Sequence, residues 1–524
     1  MTAGVPAPIG VVGAGIMGAG IAQLAAQAGA RTVLYDPDAT ALDRGRSRIE
    51  QALARRVAGG RLDRSEADRI VARVEPATEL EALADCRLVV EAAPERLDLK
   101  REILGALAAT VSPDCVIASN TSSLSITELA ATVARPERVV GLHFFNPAPV
   151  MRLVEVVAGE ASEAWALDAA REVGRAMGKH VIDAADVPGF VVNRCNRPFF
   201  LESLTVLAER IATVEQIDRI ATLGGGFRMG PFELMDLVGL DTNHAVAESF
   251  HRQSFGEPRF RPSPLQARLV AAGRLGRKTG RGWYSYDGDG GPVRHEPPVR
   301  ERGGGAGRLV VVAGDVPLAR EIRAAATEAG WDARASSAGS DGEPWLTIDC
   351  APTPVSSPGP RARLLHAGSL HRTDPEAAGF HLLPPLDGVR LVETTTTPLT
   401  TAEAEQRTEE LFASLGLATE RVGDGAGLVL GRVVAQLINE AAYLIGEGNA
   451  TPGDVDAGMT LGVNHPRGPV AWSEAIGLEH VVAILDGLHA ELGDPRYRVA
   501  PLLRRSVALG TGLAVGAPCA MTTG

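Results

Sequence analysis

The chain has 524 residues, of which 45% are hydrophobic and 22% are charged, and its formal net charge is −12. The length suggests several domains, and the composition excludes a chain that is mainly disordered or collagen-like. An acidic chain does not offer the basic surface that nucleic acids or anionic membranes require, so we expect small-molecule partners, no nucleic acid and no membrane.

The N-terminal region has the pattern of a βαβ unit. Residues 9–36 read IGVVGAGIMGAGIAQLAAQAGARTVLYD, an apolar run followed by a glycine-rich turn, an alanine-rich helix and a second apolar run. Helical patterning follows over 41–73, and further apolar strands occur at 88–91 and 115–118. This alternation predicts an α/β Rossmann fold with a doubly wound parallel sheet.

The glycine-rich turn has the spacing GxGxxG. Gly13 makes the tight turn, Gly15 lets the backbone approach a pyrophosphate, and Gly18 allows the helix to pack closely on the sheet. Asp36 ends the second strand, where a carboxylate accepts the ribose hydroxyls of NAD and repels a 2′-phosphate, so NAD is predicted over NADP. A turn that Asp36 begins with Pro37 is the structural alternative. The predicted cofactor residues of this segment are Gly13, Gly15, Ile16, Met17, Gly18 and Asp36.

Beyond residue 186 the pattern changes to amphipathic helices, predicted over 190–211 and 214–223. Residues 287–307 are crowded with Gly and Pro and show no periodicity, which is typical of a linker.

An internal repeat appears when residues 141–240 are moved forward by 238 positions without a gap. The pairs that then align include His143 with His381, Glu155 with Glu393, Gly189 with Gly427, and Glu202 with Glu440. The first strand matches residues 309–312 at an offset near 300, so the second copy has lost about 62 residues together with the glycine motif. We therefore expect an incomplete nucleotide-binding fold and a structural role for the second copy.

These observations divide the chain into five segments. They are an NAD-binding Rossmann domain (1–185), an all-α substrate domain (186–286), a linker (287–307), a truncated, degenerate Rossmann-like segment (308–420) and a second helical domain (421–524). The five cysteines are scattered and never spaced as CxxC, no long apolar run occurs, and the N-terminus has no signal-peptide pattern. A cytoplasmic protein without a metal site is predicted.

Four ordered motifs carry a resemblance to a known family. They are ASNTSSL at 118–124, GLHFFNP at 141–147, LVEVV at 153–157 and VPGFVVNR at 187–194. This set resembles the 3-hydroxyacyl-CoA dehydrogenases of β-oxidation, and the two-copy arrangement is similar to a bacterial subgroup of them. The resemblance implies NAD-dependent oxidation of (S)-3-hydroxyacyl-CoA to 3-oxoacyl-CoA, in the degradation of fatty acids or of aromatic acids such as phenylacetate.

Residue chemistry supports the same reaction. Oxidation of a secondary alcohol needs a base with a pKa near neutrality, and His143 is the candidate. The resemblance makes Glu155 the carboxylate that orients this ring, and makes Ser122 and Asn193 the residues that hydrogen-bond the substrate. A histidine in an apolar segment is often a satisfied core group, Asn193 in a helix could cap or bridge, and Ser122 lies in a polar turn where serine is common. Each residue alone therefore also has a structural explanation.

The resemblance assigns further residues to the ligands. Those expected on the cofactor side are Ala93, Glu95, Lys100, Asn120 and Asn146. A solvated helix N-terminus explains Glu95 and Lys100 nearly as well. Arginines near the coenzyme A phosphates (Arg55, Arg56, Arg61) and possible partners of an acyl carboxylate (Arg152, Arg197) are weaker candidates, since a solvated basic face explains the first group equally well.

Two other interpretations remain open. A non-catalytic NAD-binding structural protein would show the same fold, but it could lose catalytic residues, and the first copy has lost none. The β-hydroxyacid dehydrogenases share the nucleotide fold but use a catalytic lysine, whereas this chain has His143 in its motif. Relatives with one substrate domain pair through it, so a second such domain predicts an intrachain pseudo-dimer, with any homodimer formed through another surface.

Overall fold

The structure is a computed structural model that describes residues 8–286, 296–298, 300–336 and 343–515. Residues 287–295 and 299 of the predicted linker therefore lie outside the described residues. The chain forms two compact units: the first comprises Met1–Arg194 and Asn449–Val463, and the second comprises Cys195–Gly448 and Asn464–Gly524. Among the described residues, no helix has both the length and the apolar character needed to cross a membrane.

The first unit is built on an eight-stranded sheet. Its strands are β1 (Ile9–Val12), β2 (Thr32–Tyr35), β3 (Val74–Ala77), β4 (Leu88–Glu91), β5 (Val116–Ser119), β6 (Val139–Phe144), β7 (Leu153–Ala158) and β8 (His180–Ala185). The spatial order is β3-β2-β1-β4-β5-β6-β7-β8, and only β6 and β7 pair antiparallel. This confirms the predicted Rossmann fold. The strand order reverses between β1 and β4, where sheets of this kind bind ligands at the carboxyl ends of the strands.

The helices of the first half include some that the pattern predicts, after the glycine turn and near residues 41 and 214, and others that it does not locate. They are α1 (Ile16–Gln27), α2 (Ala39–Ala58), α3 (Arg64–Ala72), α4 (Leu97–Thr110), α5 (Ile126–Ala130), α6 (Ala164–Ala176), α7 (Val192–Cys195), α8 (Arg197–Ala208), α9 (Val214–Arg219), α10 (Pro231–Val238), α11 (Leu240–Gln253) and α12 (Pro264–Ala271). The helix predicted over 41–73 is interrupted at Gly59 and Gly60, and α9 continues as one π-helical turn, Ile220–Gly224.

The helix predicted over 190–211 begins later than expected. Gly189 and Phe190 have φ angles of 75° and 54°, so a left-handed turn precedes α7. A non-glycine residue in this region is strained and persists only where surrounding contacts stabilise it. Those contacts belong to the site described below.

The second half repeats the architecture. Its strands are β9 (Leu309–Ala313), β10 (Asp332–Ala335), β11 (Leu346–Asp349), β12 (Arg361–Leu364), β13 (Ala378–His381), β14 (Leu391–Thr395) and β15 (Ala418–Arg421). Its helices are α13 (Pro317–Glu328), α14 (Leu370–Thr373), α15 (Ala402–Ser414), α16 (Leu430–Gly446), α17 (Pro452–Gly462), α18 (Pro469–Ile476), α19 (Leu478–Leu492) and α20 (Pro501–Leu509). The sheet order is β10-β9-β11-β12-β13-β14-β15.

The second copy thus keeps more of the fold than we expected. Its seven-stranded sheet has the same order as the first sheet, and it lacks only the equivalent of the edge strand β3. The lost residues correspond to α2, α3, β3 and α4. The deletion removes an edge and crossover helices, so the central ladder and its buried apolar cluster remain intact.

The two copies exchange a helix. In the first unit, α17 from the second copy packs on β7 and β8, and Ala185 N donates to Asn449 O. The equivalent segment of the first copy is α9 with its π turn, and it packs on β14 in the second unit, where Arg390 N donates to Leu223 O. Each sheet is therefore covered at this position by a helix of the opposite repeat.

Candidate active site

A cavity of about 780 Å³ lies at the carboxyl ends of the strands where the order reverses. Six of the predicted cofactor residues line it, namely Gly13, Gly15, Ile16, Met17, Asp36 and Ala93. Arg44 and Arg48 also line it and were not predicted. Both lie on α2, which begins soon after Asp36, and they are one helical turn apart, so their side chains share one face of the helix. Two arginines at this i, i+4 spacing after the aspartate predicted to bind the ribose are the signal that could have identified them.

The three motif glycines fit a dinucleotide. A Cβ atom at Gly13, whose φ is 97°, would lie 2.9 Å from Ala92 O, and one at Gly18 would lie 1.7 Å from Gly13 O. At Gly15, apart from its chain neighbours and the backbone of α1, no atom of the described residues lies within 4 Å of the Cβ position, so the N-terminus of α1 is open to an incoming group. Gly13 and Gly18 thus permit close packing, and Gly15 leaves space for a pyrophosphate.

The carboxylate of Asp36 is held at the edge of this cavity. Its Oδ2 accepts a hydrogen bond of 2.8 Å from Ala14 N, and its Oδ1 accepts one of 3.0 Å from Asp38 N. Each carboxylate oxygen has further acceptor capacity. Asp36 is therefore fixed in place, and it can still accept hydroxyl groups from a ribose.

His143 and Glu155 form a buried pair across β6 and β7. His143 Nδ1 lies 2.6 Å from Glu155 Oε2, and the two residues are 5% and 0% exposed. Among the described residues, nothing hydrogen-bonds His143 Nε2. A carboxylate at Nδ1 favours the tautomer with the proton on that nitrogen, which leaves the Nε2 lone pair available as a base.

The left-handed turn before α7 serves this pair. It directs Val191 N and Val192 N to Glu155 Oε1, at 3.1 and 3.0 Å. Glu155 is thus bonded through both oxygens, to the imidazole on one side and to two backbone amides on the other. These bonds fix the carboxylate, and the carboxylate in turn fixes the ring.

The structure also brings Ser122 and Asn193 together, because Asn193 Nδ2 donates to Ser122 O at 3.4 Å. Glu95 anchors the same turn: its Oε1 accepts from Ser122 N at 3.0 Å, and also from Thr121 Oγ1 and Ser123 Oγ. Burial alone would raise the pKa of Glu95, but the charge of Lys100 and these hydrogen bonds outweigh it and lower the pKa. Sequence reasoning missed this anchoring role.

The remaining predicted cofactor residues do not line the cavity. Lys100 is 1% exposed, and its Nζ lies 2.7 Å from Glu91 Oε1 and 3.2 Å from Ala93 O, so it supports the segment that does. Asn120 Oδ1 accepts from Phe144 N at 2.8 Å and ties β5 to β6. Asn146 is exposed.

The arginine candidates lie in different environments. Arg55 and Arg61 are exposed, Arg56 is half-buried, and Arg152 is exposed. Arg197, in the second unit, is buried with its guanidinium over the rings of Phe200 and Phe250, and this burial lowers its pKa to about 10. Among the described residues, no group of three or more His, Cys, Asp or Glu side chains is arranged to hold a metal ion.

The second copy has a different arrangement at the equivalent positions. Glu393 still accepts from Val429 N and Leu430 N, at 2.7 and 3.0 Å. His381 Nδ1, however, has no hydrogen-bond partner among the residues that the structure describes, and its Nε2 lies 3.4 Å from His480 Nε2. A Cβ atom at Gly431, which stands at the place of Asn193, would lie 2.3 Å from His381 Cε1. The missing side chain is therefore what lets the ring occupy this space.

The glycine motif of the second copy is also changed. Gly314 keeps the φ of 97° seen at Gly13, so the tight turn survives. The strand register places Val316 and Ala319 where Gly15 and Gly18 stand. A valine at the position of closest approach fills the space that Gly15 leaves for a pyrophosphate.

A glycine-lined cavity at the strand-order reversal, together with a buried imidazole–carboxylate pair, defines the class of NAD-binding dehydrogenases. Family models agree: "3-hydroxyacyl-CoA dehydrogenase, NAD binding domain" matches residues 8–187, and "3-hydroxyacyl-CoA dehydrogenase, C-terminal domain" matches 189–286 and again 427–518. The chain belongs to the 3-hydroxyacyl-CoA dehydrogenase family and is an NAD-dependent enzyme of it.

Individual relatives have the one-copy or the two-copy length. The chain is 36% identical over 504 residues to "3-hydroxyadipyl-CoA dehydrogenase" of Escherichia coli, covering 96% of this chain and 98% of that protein. It is 42% identical over 280 residues to "3-hydroxybutyryl-CoA dehydrogenase" of Bradyrhizobium diazoefficiens, covering 53% and 95%. A crystal structure named 3-hydroxybutyryl-CoA dehydrogenase, from Escherichia coli K12, matches with a TM-score of 0.82 at 34% identity, covering 96% and 98%.

Proposed function

We propose that this enzyme oxidises (S)-3-hydroxyacyl-CoA to 3-oxoacyl-CoA with NAD, in a β-oxidation-type degradation of fatty acids or aromatic acids. The observation that supports this most strongly is the His143–Glu155 pair, which leaves one imidazole nitrogen free. Bound NAD supplies the hydride acceptor. The tests are NADH formation from purified protein and the variants described in the Discussion.

The residues divide into two groups by proposed role. His143 Nε2 takes the proton of the substrate hydroxyl, and Glu155 holds the ring and stabilises the imidazolium that forms. Ser122 and Asn193 donate hydrogen bonds to the substrate oxygens, and the Asn193–Ser122 contact supports a common location for them. Asp36 binds the adenosine ribose, and Asn146 faces the nicotinamide.

The acyl group is proposed to be 3-hydroxyadipyl or 3-hydroxybutyryl. Similarity over almost the full length to a protein named for the former supports the dicarboxylic substrate. Kinetics with both thioesters decide between them: a higher kcat/KM for hydroxyadipyl-CoA supports the dicarboxylic assignment, and the reverse order contradicts it. NADH binding without oxidation of any 3-hydroxyacyl-CoA would instead support the non-catalytic alternative.

We further propose that the chain is an intrachain pseudo-dimer, with the domain boundaries predicted from its sequence. The exchange of α17 and of the α9 π turn between the repeats supports this, because such an exchange ordinarily joins two subunits. Light scattering tests it. A monomeric chain agrees with the proposal. A dimer also agrees if it persists when residues of α9 or α17 are substituted, because its interface then lies elsewhere. A dimer that dissociates on these substitutions would contradict the proposal. A cytoplasmic location is part of the same proposal.

A further inference from the structure

The few lysines of this chain are the starting point. Of 52 basic residues, only Lys100, Lys179 and Lys278 are lysine. Lys100 pairs with Glu91, and Lys278 pairs with Asp241. Lys179 is buried and, in the described part of the chain, pairs with no carboxylate: its Nζ donates to Ala148 O and Met151 O, both at 2.7 Å.

Burying an ammonium without an acidic partner is unfavourable. Desolvation lowers the pKa of Lys179 to about 8, which expresses that cost. The fold itself does not need the charge, because Leu417 stands at the same register position before β15 and is also buried. The first copy has this destabilising ammonium at position 179, and the second copy does not have it at position 417. We therefore expect the ammonium to serve a function that only the first copy has.

The turn that Lys179 holds lies between the active site and the cofactor helix. Residues 147–151 directly follow Asn146, and Val150 N and Met151 N both donate to Pro147 O. On the other side, the Cβ position of Gly20 in α1 lies 3.0 Å from Pro149 Cδ and 3.2 Å from Ala148 Cβ. The turn is thus held by Lys179 on one side and packs on α1 on the other.

The second copy provides the contrast. There Pro384 replaces Asn146, Leu417 replaces Lys179, and Val316 fills the space that Gly15 leaves open. The lysine and the cofactor-binding features are therefore lost together. By comparison, an aspartate that caps a helix is kept in both copies. Asp186 caps α5 in the first copy, and Asp424 caps α14 in the same way in the second.

We propose that Lys179 is a positioning residue for the dinucleotide: its ammonium gathers two carbonyl oxygens and so fixes the 147–151 turn that carries Asn146 against α1. A compact ammonium suits two acceptors that both lie 2.7 Å from one nitrogen, whereas a planar guanidinium spreads its donors. The inference rests on the proposed role of Asn146 at the nicotinamide.

The experiment measures NADH affinity of the full-length protein by fluorescence, independent of turnover. Lys179→Met is expected to raise the Kd for NADH by about tenfold or more and to raise the KM for NAD similarly, with kcat changed less than about threefold. The melting temperature should change little, because removal of the buried charge offsets the loss of the two hydrogen bonds to Ala148 O and Met151 O. Arg175→Met is the matched control, since it removes an exposed positive charge from the last turn of α6, four residues before Lys179, and should leave the Kd unchanged.

Two further measurements test whether Lys179 acts through its charge and through the turn that carries Asn146. The difference in Kd between wild type and Lys179→Met should narrow as the pH rises from 7 to 9, because the wild-type ammonium loses its charge near pH 8. In a double-mutant cycle, Lys179→Met should add little to the effect of Asn146→Ala. Lys179→Leu, which copies the second repeat, replaces Lys179→Met if the latter does not fold.

An unchanged Kd for NADH in both Lys179 variants would overturn the inference. So would a double variant whose Kd rises by the product of the increases in Lys179→Met and Asn146→Ala, because the two residues would then act independently. These outcomes are distinguishable from failure of the proposed function. Wild-type protein that binds NADH but oxidises no 3-hydroxyacyl-CoA would end the proposed function, while the Kd comparison would still decide the role of Lys179.

Discussion

His143 and Glu155 are direct neighbours across the antiparallel strands β6 and β7, with Nδ1 and Oε2 2.6 Å apart. His381 and Glu393 have the same register on β13 and β14, yet in the described part of the chain His381 Nδ1 has no hydrogen-bond partner. Strand pairing therefore places the histidine and the glutamate side by side in both copies, but it does not by itself form the hydrogen bond between them. The side chain at the position of Asn193, absent at Gly431, distinguishes the two copies.

Replacing Glu155 with glutamine should leave the Val191 and Val192 amides bonded but present an amide donor to His143. The ring would then adopt the tautomer with the proton on Nε2, which cannot act as the base. We expect kcat to fall by about 10²–10⁴, with the Kd for NADH nearly unchanged. Steady-state kinetics and NADH titration measure both. Glu393→Gln is the matched control, and equal losses in the two variants would contradict this account.

Asp36 should control the choice of nucleotide. Asp36→Ala removes the acceptor for the ribose hydroxyls, so the KM for NAD should rise by about tenfold or more. Asp36→Asn keeps an oxygen for Ala14 N but removes the charge that repels a 2′-phosphate, so it should improve kcat/KM for NADP. If neither variant alters the ratio of kcat/KM between NAD and NADP, Asp36 does not lie at the ribose.

Glu95 should act on the substrate through the Ser122 turn. Its Oε1 accepts from Thr121 Oγ1, from Ser122 N, and from Ser123 N and Oγ, while Oε2 faces Lys100 at 3.4 Å. Glu95→Ala should lower kcat/KM for the acyl thioester by about 100-fold, since small displacements of a contacting group have effects of that size. Glu95→Gln, which retains an acceptor oxygen, should lose far less. Equal losses in the two variants would argue for a charge effect instead.

Gly431 should contribute to the stability of the second unit, because it leaves space for the His381 ring. Asparagine at this position, copying the first repeat, would force the His381 ring to move, because the Cβ position lies 2.3 Å from it. We expect Gly431→Asn to lower the free energy of unfolding by about 1–3 kcal/mol, as overpacked cores do. Chemical denaturation followed by tryptophan fluorescence measures it. An unchanged midpoint would show that the ring has free space elsewhere.

Acid should destabilise the second unit through its buried histidines. Burial lowers the pKa of His366 to about 4 and that of His381 to about 3, so the unfolded state binds more protons as the pH falls below 6.5. The stability that their neutral forms provide is present above pH 6.5 and is lost toward pH 4. Burial raises the pKa of Glu393 to about 8. The contribution of Glu393 to the free energy of unfolding therefore increases as the pH falls from 8 toward 4.5, and it offsets part of the loss caused by the histidines.

The measurement for this prediction is urea unfolding at pH 7 and pH 4.5. Trp283, Trp331, Trp345 and Trp472 lie in the second unit and report on it. His366→Gln should reduce the difference in unfolding free energy between the two pH values, by up to about 3 kcal/mol if its full shift is expressed. An identical difference in wild type and variant would remove His366 from the acid response.

The sequence predicts β1, β2, β4 and β5 of the first sheet and the glycine turn between β1 and α1, because apolar runs and glycine spacing are local properties. It does not locate β3, β6, β7 or β8. It also predicts the order of the site motifs. It does not predict that seven strands survive in the second copy, since ladder pairing joins residues far apart in the chain. The same holds for the anchoring by Glu95 and for Lys179, whose partners are backbone carbonyls that leave no residue pattern.

The central claim is that His143 is the base for hydroxyl oxidation at a bound dinucleotide. The most direct test compares wild type and His143→Gln, with NAD and either 3-hydroxybutyryl-CoA or 3-hydroxyadipyl-CoA, following NADH formation and NADH affinity together. We predict turnover by the wild type and a loss of kcat of roughly 10³ or more in the variant, with NADH affinity retained. An unchanged kcat in the variant would contradict the account.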